Sequence, residues 1–204
     1  MHPAPTFREG DEQTLLAHLA AHPFVTLCAA REGRLLVAHA PVVVRRMATG
    51  PALDFHLNRG NAMAAMLAEG FQAVAVNLAA DAYVSPDWFG AADHVPTWNY
   101  VSVEAQGPVT ALDETGLVAL LDDLSAQEEA RLAPKPAWTR AKMSPGRFDQ
   151  MTRAIVGARL TVERLEGTSK LGQMKSEAER AGVVAALGDH PIARLMGAAI
   201  PPRG

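Results

Sequence analysis

The chain has 204 residues, of which 49% are hydrophobic and 20% charged, with a formal net charge of −3. That length suits one larger domain, or a domain with a helical appendage, and the acidic balance argues against a monomer that grips nucleic acid by bulk charge. No apolar run approaches the roughly 18 residues of a membrane span. Met1-His2-Pro3-Ala4-Pro5 lacks the basic-then-apolar layout of a secretory signal, and the single cysteine, Cys28, suits a small buried hydrophobe in a reducing cytoplasm.

Residues 11–22 are predicted to form an amphipathic helix with Leu15, Leu16 and Leu19 on one side, ended by Pro23. Phe24 to Ala30 reads as a strand, and Glu32-Gly33 as a turn into a partner strand from Arg34 to Arg46. Pro41 inside that second run requires an edge position or a bulge, because it has no N–H to donate. Gly50-Pro51 turns the chain into a strand over Ala52 to Leu57. Asn61 is a plausible cap for a short helix through Glu69, ended by Gly70. Further strands are predicted over Phe71 to Leu78 and Trp98 to Thr110. From Asp113 the spacing becomes helical at Leu117, Leu120, Leu121 and Leu124. Ser144-Pro145 opens another helix carrying Phe148, Met151 and Ile155, with Gly157 after it. Arg159 to Leu165 resembles a final strand, and Ser176 with Glu179 makes a capping box for a C-terminal helix. Short connections rule out a doubly wound sheet. They predict an α+β, mainly β protein, a small closed barrel with helices packed outside. Residues 1–204 read as one domain, with 113–204 including the helical additions.

Chemistry-bearing patterns are few. His18 and His22 lie four apart on the first helix, but Leu19 stands where a zinc protease needs its glutamate, so no metal site is expected. Nucleophile elbows and glycine-rich phosphate loops are absent from the sequence. Arg180, Arg194 and Arg203 are interleaved with Glu177, Glu179 and Asp189, which reads as a solvated face rather than a DNA-reading helix. Two features remain. Arg59-Gly60-Asn61 follows a strand ending near His56 and precedes the predicted helix, where free N–H groups and an arginine fork suit an anion. Both tyrosines and two of the three tryptophans fall between Ala82 and Tyr100, a loop and strand start of the kind that carries ligand sites.

The strings His56-Leu57-Asn58-Arg59-Gly60-Asn61, Ala82-Tyr83-Val84-Ser85-Pro86 and Val95-Pro96-Thr97-Trp98-Asn99-Tyr100 occur in that order. They are followed by Ala154-Ile155-Val156-Gly157, Arg164-Leu165-Glu166-Gly167 and Lys170-Leu171. On these the chain resembles the PaiB-like family of FMN-binding negative transcriptional regulators over nearly its whole length. The resemblance implies a split β-barrel of the pyridoxamine-phosphate-oxidase-like kind, with peripheral and C-terminal helices, and a homodimer binding FMN between subunits. It implies His56, Arg59 and Asn61 as phosphate contacts, Trp98 and Asn99 as isoalloxazine or interface contacts, and Lys170 and Gln173 as contacts from the other side. The chain departs from the pattern at Lys170-Leu171-Gly172-Gln173-Met174, which lacks the family's serine and asparagine, and at Asp81, where the family has a histidine. A flavin-dependent oxidoreductase is the alternative function. A haem-binding split barrel is another, with His39 or His94 as axial ligand. DNA is a partner by resemblance alone, and no membrane is expected.

Overall fold

A computed structural model describes residues 4–198, so Arg203 and residues 1–3 lie outside it. In chain order it contains β1 (Arg8–Glu9), α1 (Glu12–Ala21), β2 (Phe24–Arg31), β3 (Arg34–Pro41), β4 (Val43–Met47) and β5 (Gly50–Asn58). There follow β6 (Phe71–Val84), β7 (Thr97–Ala111), α2 (Glu114–Ala130), α3 (Arg147–Thr152), β8 (Ile155–Thr161), β9 (Arg164–Lys170), α4 (Glu177–Leu187) and α5 (Pro191–Ala198). The strand order is β3-β2-β6-β7-β8-β5-β4, with β9 pairing β1 and β7. The hydrogen-bonded path is open, with β3 and β4 at its ends, which corrects the expected closed barrel. Described residues 4–15, 78–103 and 166–198 form one compact unit, and residues 16–77 and 104–165 a second.

In the second unit, the predicted strand from Arg34 to Arg46 is two strands. Pro41 ends β3, which pairs with β2, and after Val42 the chain enters β4, which pairs with β5. Val42 N–H donates to the Pro23 carbonyl at 2.9 Å, so the break is itself hydrogen-bonded. The Glu32-Gly33 turn is a tight hairpin with both residues at positive φ (51° and 77°), the geometry that matches strand twist. Alternation along β2 and β5 buries Val25, Leu27, Leu53, Phe55 and Leu57, and Leu120 of α2 and Leu160 of β8 complete the core. Buried within it, Asp54 takes Nε and Nη2 of Arg159 at 2.6 and 2.8 Å and Nε of Arg45 at 2.9 Å. The predicted helix over 61–69 is only a three-residue 3-10 turn, Ala64–Met66. Ile155 and Gly157, expected in or just after a helix, belong to β8, and the expected strand from Arg159 is a β8–β9 hairpin.

In the first unit, β1 pairs with β9 through Arg8↔Thr168 and Glu9↔Gly167. Ala82, Val84, Phe89, Leu171, Val183, Ile192 and Met196 form its core. α4 begins at the predicted capping box. Glu179 N–H donates to Ser176 Oγ, and Ser176 N–H donates to Glu179 Oε2 at 2.7 Å. Gly182 lets this helix lie against the Pro86–Phe89 turn, because a Cβ there would stand 2.2 Å from the Trp88 carbonyl oxygen.

Candidate functional site

The opening residues of β7 alternate, and that alternation sorts the aromatic-rich segment into two faces. Asn99 points inward and is 4% exposed, while Trp98 points outward, 53% exposed, with its ring edge-on to Tyr83 at 6.3 Å. Beside them β9 ends at Lys170 and the chain turns through Gly172 at φ +78°, a left-handed conformation that the family's serine would adopt only with strain. Lys175 N–H closes this turn onto the Gly172 carbonyl at 2.9 Å. Gln173 braces it, its Oε1 accepting from Leu171 N–H at 2.9 Å and its Nε2 donating to the Ser169 carbonyl.

Between these segments lies a cavity of about 350 Å³, contained in the first unit. Phe7, Phe89, Val95, Met174 and Met196 supply its apolar walls, and Thr97, Asn99, Lys170, Lys175 and Arg180 its polar groups. Asn99 Nδ2 is 3.4 Å from the Met196 sulfur, and Lys170 Nζ donates to Thr97 Oγ1 at 2.6 Å. Flat apolar walls with a few edge donors suit a planar, hydrogen-bonding ligand. Of the residues that the resemblance implies, Asn99 and Lys170 line the cavity. Gln173 holds the turn beside it, and Trp98 lies on the opposite face of β7.

His94 links the cavity to α4. Its ring packs against Phe89 with centroids 4.6 Å apart, and Lys175 Nζ sits 2.9 Å from Nδ1 and 4.7 Å from the Phe89 centroid. A lysine ammonium only donates, so Nδ1 accepts and the imidazole proton sits on Nε2. Nε2 is 2.6 Å from Glu179 Oε1, a close approach that falls short of the alignment of a directed hydrogen bond. Hydrogen bonds from Ser176, and to a smaller extent the nearness of His94, hold the Glu179 carboxyl down to about 2. Arg180, expected on a solvated face, instead lines the cavity, with Nη1 donating to the Lys175 carbonyl at 2.5 Å. Sequence reasoning missed Lys175 and Arg180. It saw Glu179 as a cap and a surface acid, and His94 as part of the aromatic-rich segment or a haem ligand, but not their link, because the His94–Lys175 contact spans 81 residues.

The second group that the resemblance implies belongs to the second unit. His56 lies on β5 opposite Gly157, half-buried, with no hydrogen-bond partner for Nδ1, and burial pushes its pKa down. Arg59 Nε donates to the Arg153 carbonyl at 2.9 Å, which leaves its Nη face to meet an anion. The helix dipole expected at this junction is absent, since no α-helix starts there. The local N–H groups are also committed: Gly60 donates to Asn58 Oδ1, Asn61 to the Asn58 carbonyl and Met63 to Asn61 Oδ1. Elsewhere in this unit His18 Nε2 is 3.0 Å from Asn77 Oδ1, and the His39 ring sits beside Thr26 and Phe24.

Comparison with known proteins places the chain. Residues 1–164 match the family described as "Putative FMN-binding domain". Protease synthase and sporulation protein PAI 2 of Bacillus subtilis is 22% identical over 192 residues, covering 93% of this chain and 91% of that one. Among solved structures, an FAD- and haem-binding protein from Mycobacterium smegmatis superposes with a TM-score of 0.55 at 20% identity, covering 90% of this chain and 81% of that one. The flavocytochrome Anf3 of Azotobacter vinelandii gives 0.54 at 17% identity, covering 89% and 78%. These likenesses agree with the split-barrel fold, whose sheet here is not closed. With the match running over most of its length, the chain belongs to the FMN-binding-domain family of split-barrel proteins.

Proposed function

We propose that this protein binds FMN and acts as a PaiB-type regulator. The observation that carries the ligand is the cavity of about 350 Å³, whose apolar walls and edge donors Asn99, Lys170 and Lys175 match a flat ring with hydrogen-bonding edges, in a chain of the FMN-binding family. Asn99 and Lys170 then serve the isoalloxazine, Gln173 keeps their turn in shape, and Trp98 takes the interface role. In the second unit, taken by itself, the partnerless His56 Nδ1 and the Nη face of Arg59 offer donors to an anion and Asn61 shapes the turn, which supports the phosphate contacts that the resemblance implies. Bound flavin supplies redox chemistry; the protein binds and orients it and keeps water from its ring.

FMN titration by quenching of flavin fluorescence tests this reading, alongside a flavin band near ~450 nm in the purified protein. Arg59→Ala should weaken FMN binding by about 1–3 kcal/mol, the worth of a lost charged hydrogen bond. Affinity that stays the same removes Arg59 from the site. Both ring nitrogens of His94 already face partners, which gives the haem alternative no support from that residue.

The homodimer rests on the resemblance and on an exposed apolar sheet face. Phe24, Leu35 and Val37 of the β2–β3 hairpin are 65%, 84% and 59% exposed, on an edge that a second copy would cover. Val37→Glu should shift light scattering toward the monomer mass. The single unpaired Cys28 is consistent with a reducing, cytoplasmic setting. DNA contact has the resemblance alone as its support; with a net charge of −3 it should weaken steeply with salt, which fluorescence anisotropy reads directly.

A further inference from the structure

Two ammonium groups line the cavity, and each donates to a neutral partner: a hydroxyl for Lys170 and an imidazole nitrogen for Lys175. Glu179 is linked to Lys175 through His94. Asp93 also lines the cavity, but the wall carries three cationic side chains beside it. Positive charge set into an apolar wall and not directly neutralised acts on whatever occupies the space, because little water screens it.

Lys175 is also the more tightly placed of the two lysines. The Phe89 ring lies under its ammonium, His94 Nδ1 accepts from it, and Arg180 holds its backbone carbonyl. The Ser176 cap aims Glu179 at His94, so helix α4 and the cavity are joined by a continuous run of polar contacts. A lysine needed only for solubility would not be held by three separate groups.

We propose that Lys175, oriented by the His94–Glu179 pair, is the residue that sets the charge preference of the cavity, making it favour a planar ring that bears a delocalised negative charge. This rests on the FMN reading. Two electrons and one proton convert FMN to its reduced anion, with the proton on N5 and the charge spread over the N1 and O2 edge, and a nearby cation favours that form over the neutral oxidised ring. Lys175 is thus a ligand-contacting residue and His94 a positioning one.

The test measures FMN affinity in both oxidation states on the full-length protein, with dithionite as the reductant, from fluorescence titration of oxidised FMN and the midpoint potential of the bound pair. Lys175→Gln is expected to weaken reduced FMN about tenfold relative to oxidised FMN, a midpoint about 30 mV more negative for a two-electron couple. Lys175→Arg should restore the wild-type ratio. His94→Asn, whose amide oxygen can stand in for Nδ1, should stay near wild type, and His94→Leu should follow Lys175→Gln. Melting temperatures within a few degrees of wild type identify variants that keep their fold. If FMN binds and Lys175→Gln leaves the ratio within twofold, this inference is overturned and the FMN reading stands. If the wild-type protein binds no FMN, both fall together.

Discussion

Replacing Asp54 by alanine removes a carboxylate whose side chain is 2% exposed and which accepts from two arginines. Three charge-assisted contacts are lost: 2.6 and 2.8 Å to Arg159 and 2.9 Å to Arg45. Removing one member of a buried ion pair costs about 3–5 kcal/mol, mostly from stranding the remaining charge. Here the stranded charges have exits. Arg45 keeps Asp123 at 2.5 Å, and both arginine side chains are about a quarter exposed. The expected loss therefore lies at the lower end, ~3 kcal/mol, or a melting temperature about 6–12 °C lower for a chain of this size. Urea unfolding followed by circular dichroism measures it, with Arg159→Met and the double variant closing a cycle. If Asp54→Ala costs about 3 kcal/mol and the double variant recovers at least ~1 kcal/mol of the summed loss, the stranded-charge account holds. A melting temperature within about 2 °C of wild type would refute it.

Burial lowers the pKa of both His18 and His56 below the ordinary 6.5, so the unfolded chain binds more protons once the pH drops below that value. Stability should be complete above pH 6.5 and decline as pH falls through the depressed folded values; urea midpoints at pH 7.5 and 5.5 measure this, and His56→Gln should flatten part of the slope. Glu179 works in the acid range: its contribution is present above 4.5 and fades as pH falls toward about 2, and Glu179→Gln should erase that segment of the pH profile. Gly182→Ala gains about 1 kcal/mol of helix propensity but drives a Cβ to 2.2 Å from the Trp88 oxygen. It should still be net destabilising by about 1 kcal/mol, since overpacking costs about 1–3 kcal/mol, and it should weaken FMN binding by moving Phe89; a more stable variant with wild-type affinity would contradict this.

Local chemistry was legible in the sequence. The Ser176–Glu179 box was readable because both of its hydrogen bonds close within three residues, and Pro41 was readable as an irregular position because it lacks a donor, although the run was expected to continue as one strand with an edge or a bulge there and instead breaks in two. Asn61 does accept the Met63 N–H as a cap would, but the α-helix expected over 61–69 does not follow: the Ala64, Met66, Leu67 and Glu69 N–H groups each donate to the carbonyl three residues back, the tighter 3-10 pattern. The β8–β9 turn was invisible because distant carbonyls hold it, with Val162 N–H on Pro51 and Glu163 N–H on Gln106. The candidate site divides the same way. Asn99 and Lys170 came from recognisable strings, whereas Lys175 and Arg180 gain meaning only when residues 89–99 and 170–196 meet around one cavity.

The pairing of β1 with β9 carries a consequence for biosynthesis. Arg8 and Glu9 find their partners at Thr168 and Gly167, some 160 residues later in the chain. Residues 16–77 and 104–165 are all in hand before the last segment of the other unit leaves the ribosome, so the second unit can condense while the amino-terminal strand still waits. The cavity is therefore among the last features to mature in a nascent chain. A ligand that stabilises it would act on the final step of folding, and a polypeptide halted near residue 165 would expose an unpaired β1 and the apolar residues that the missing segment covers.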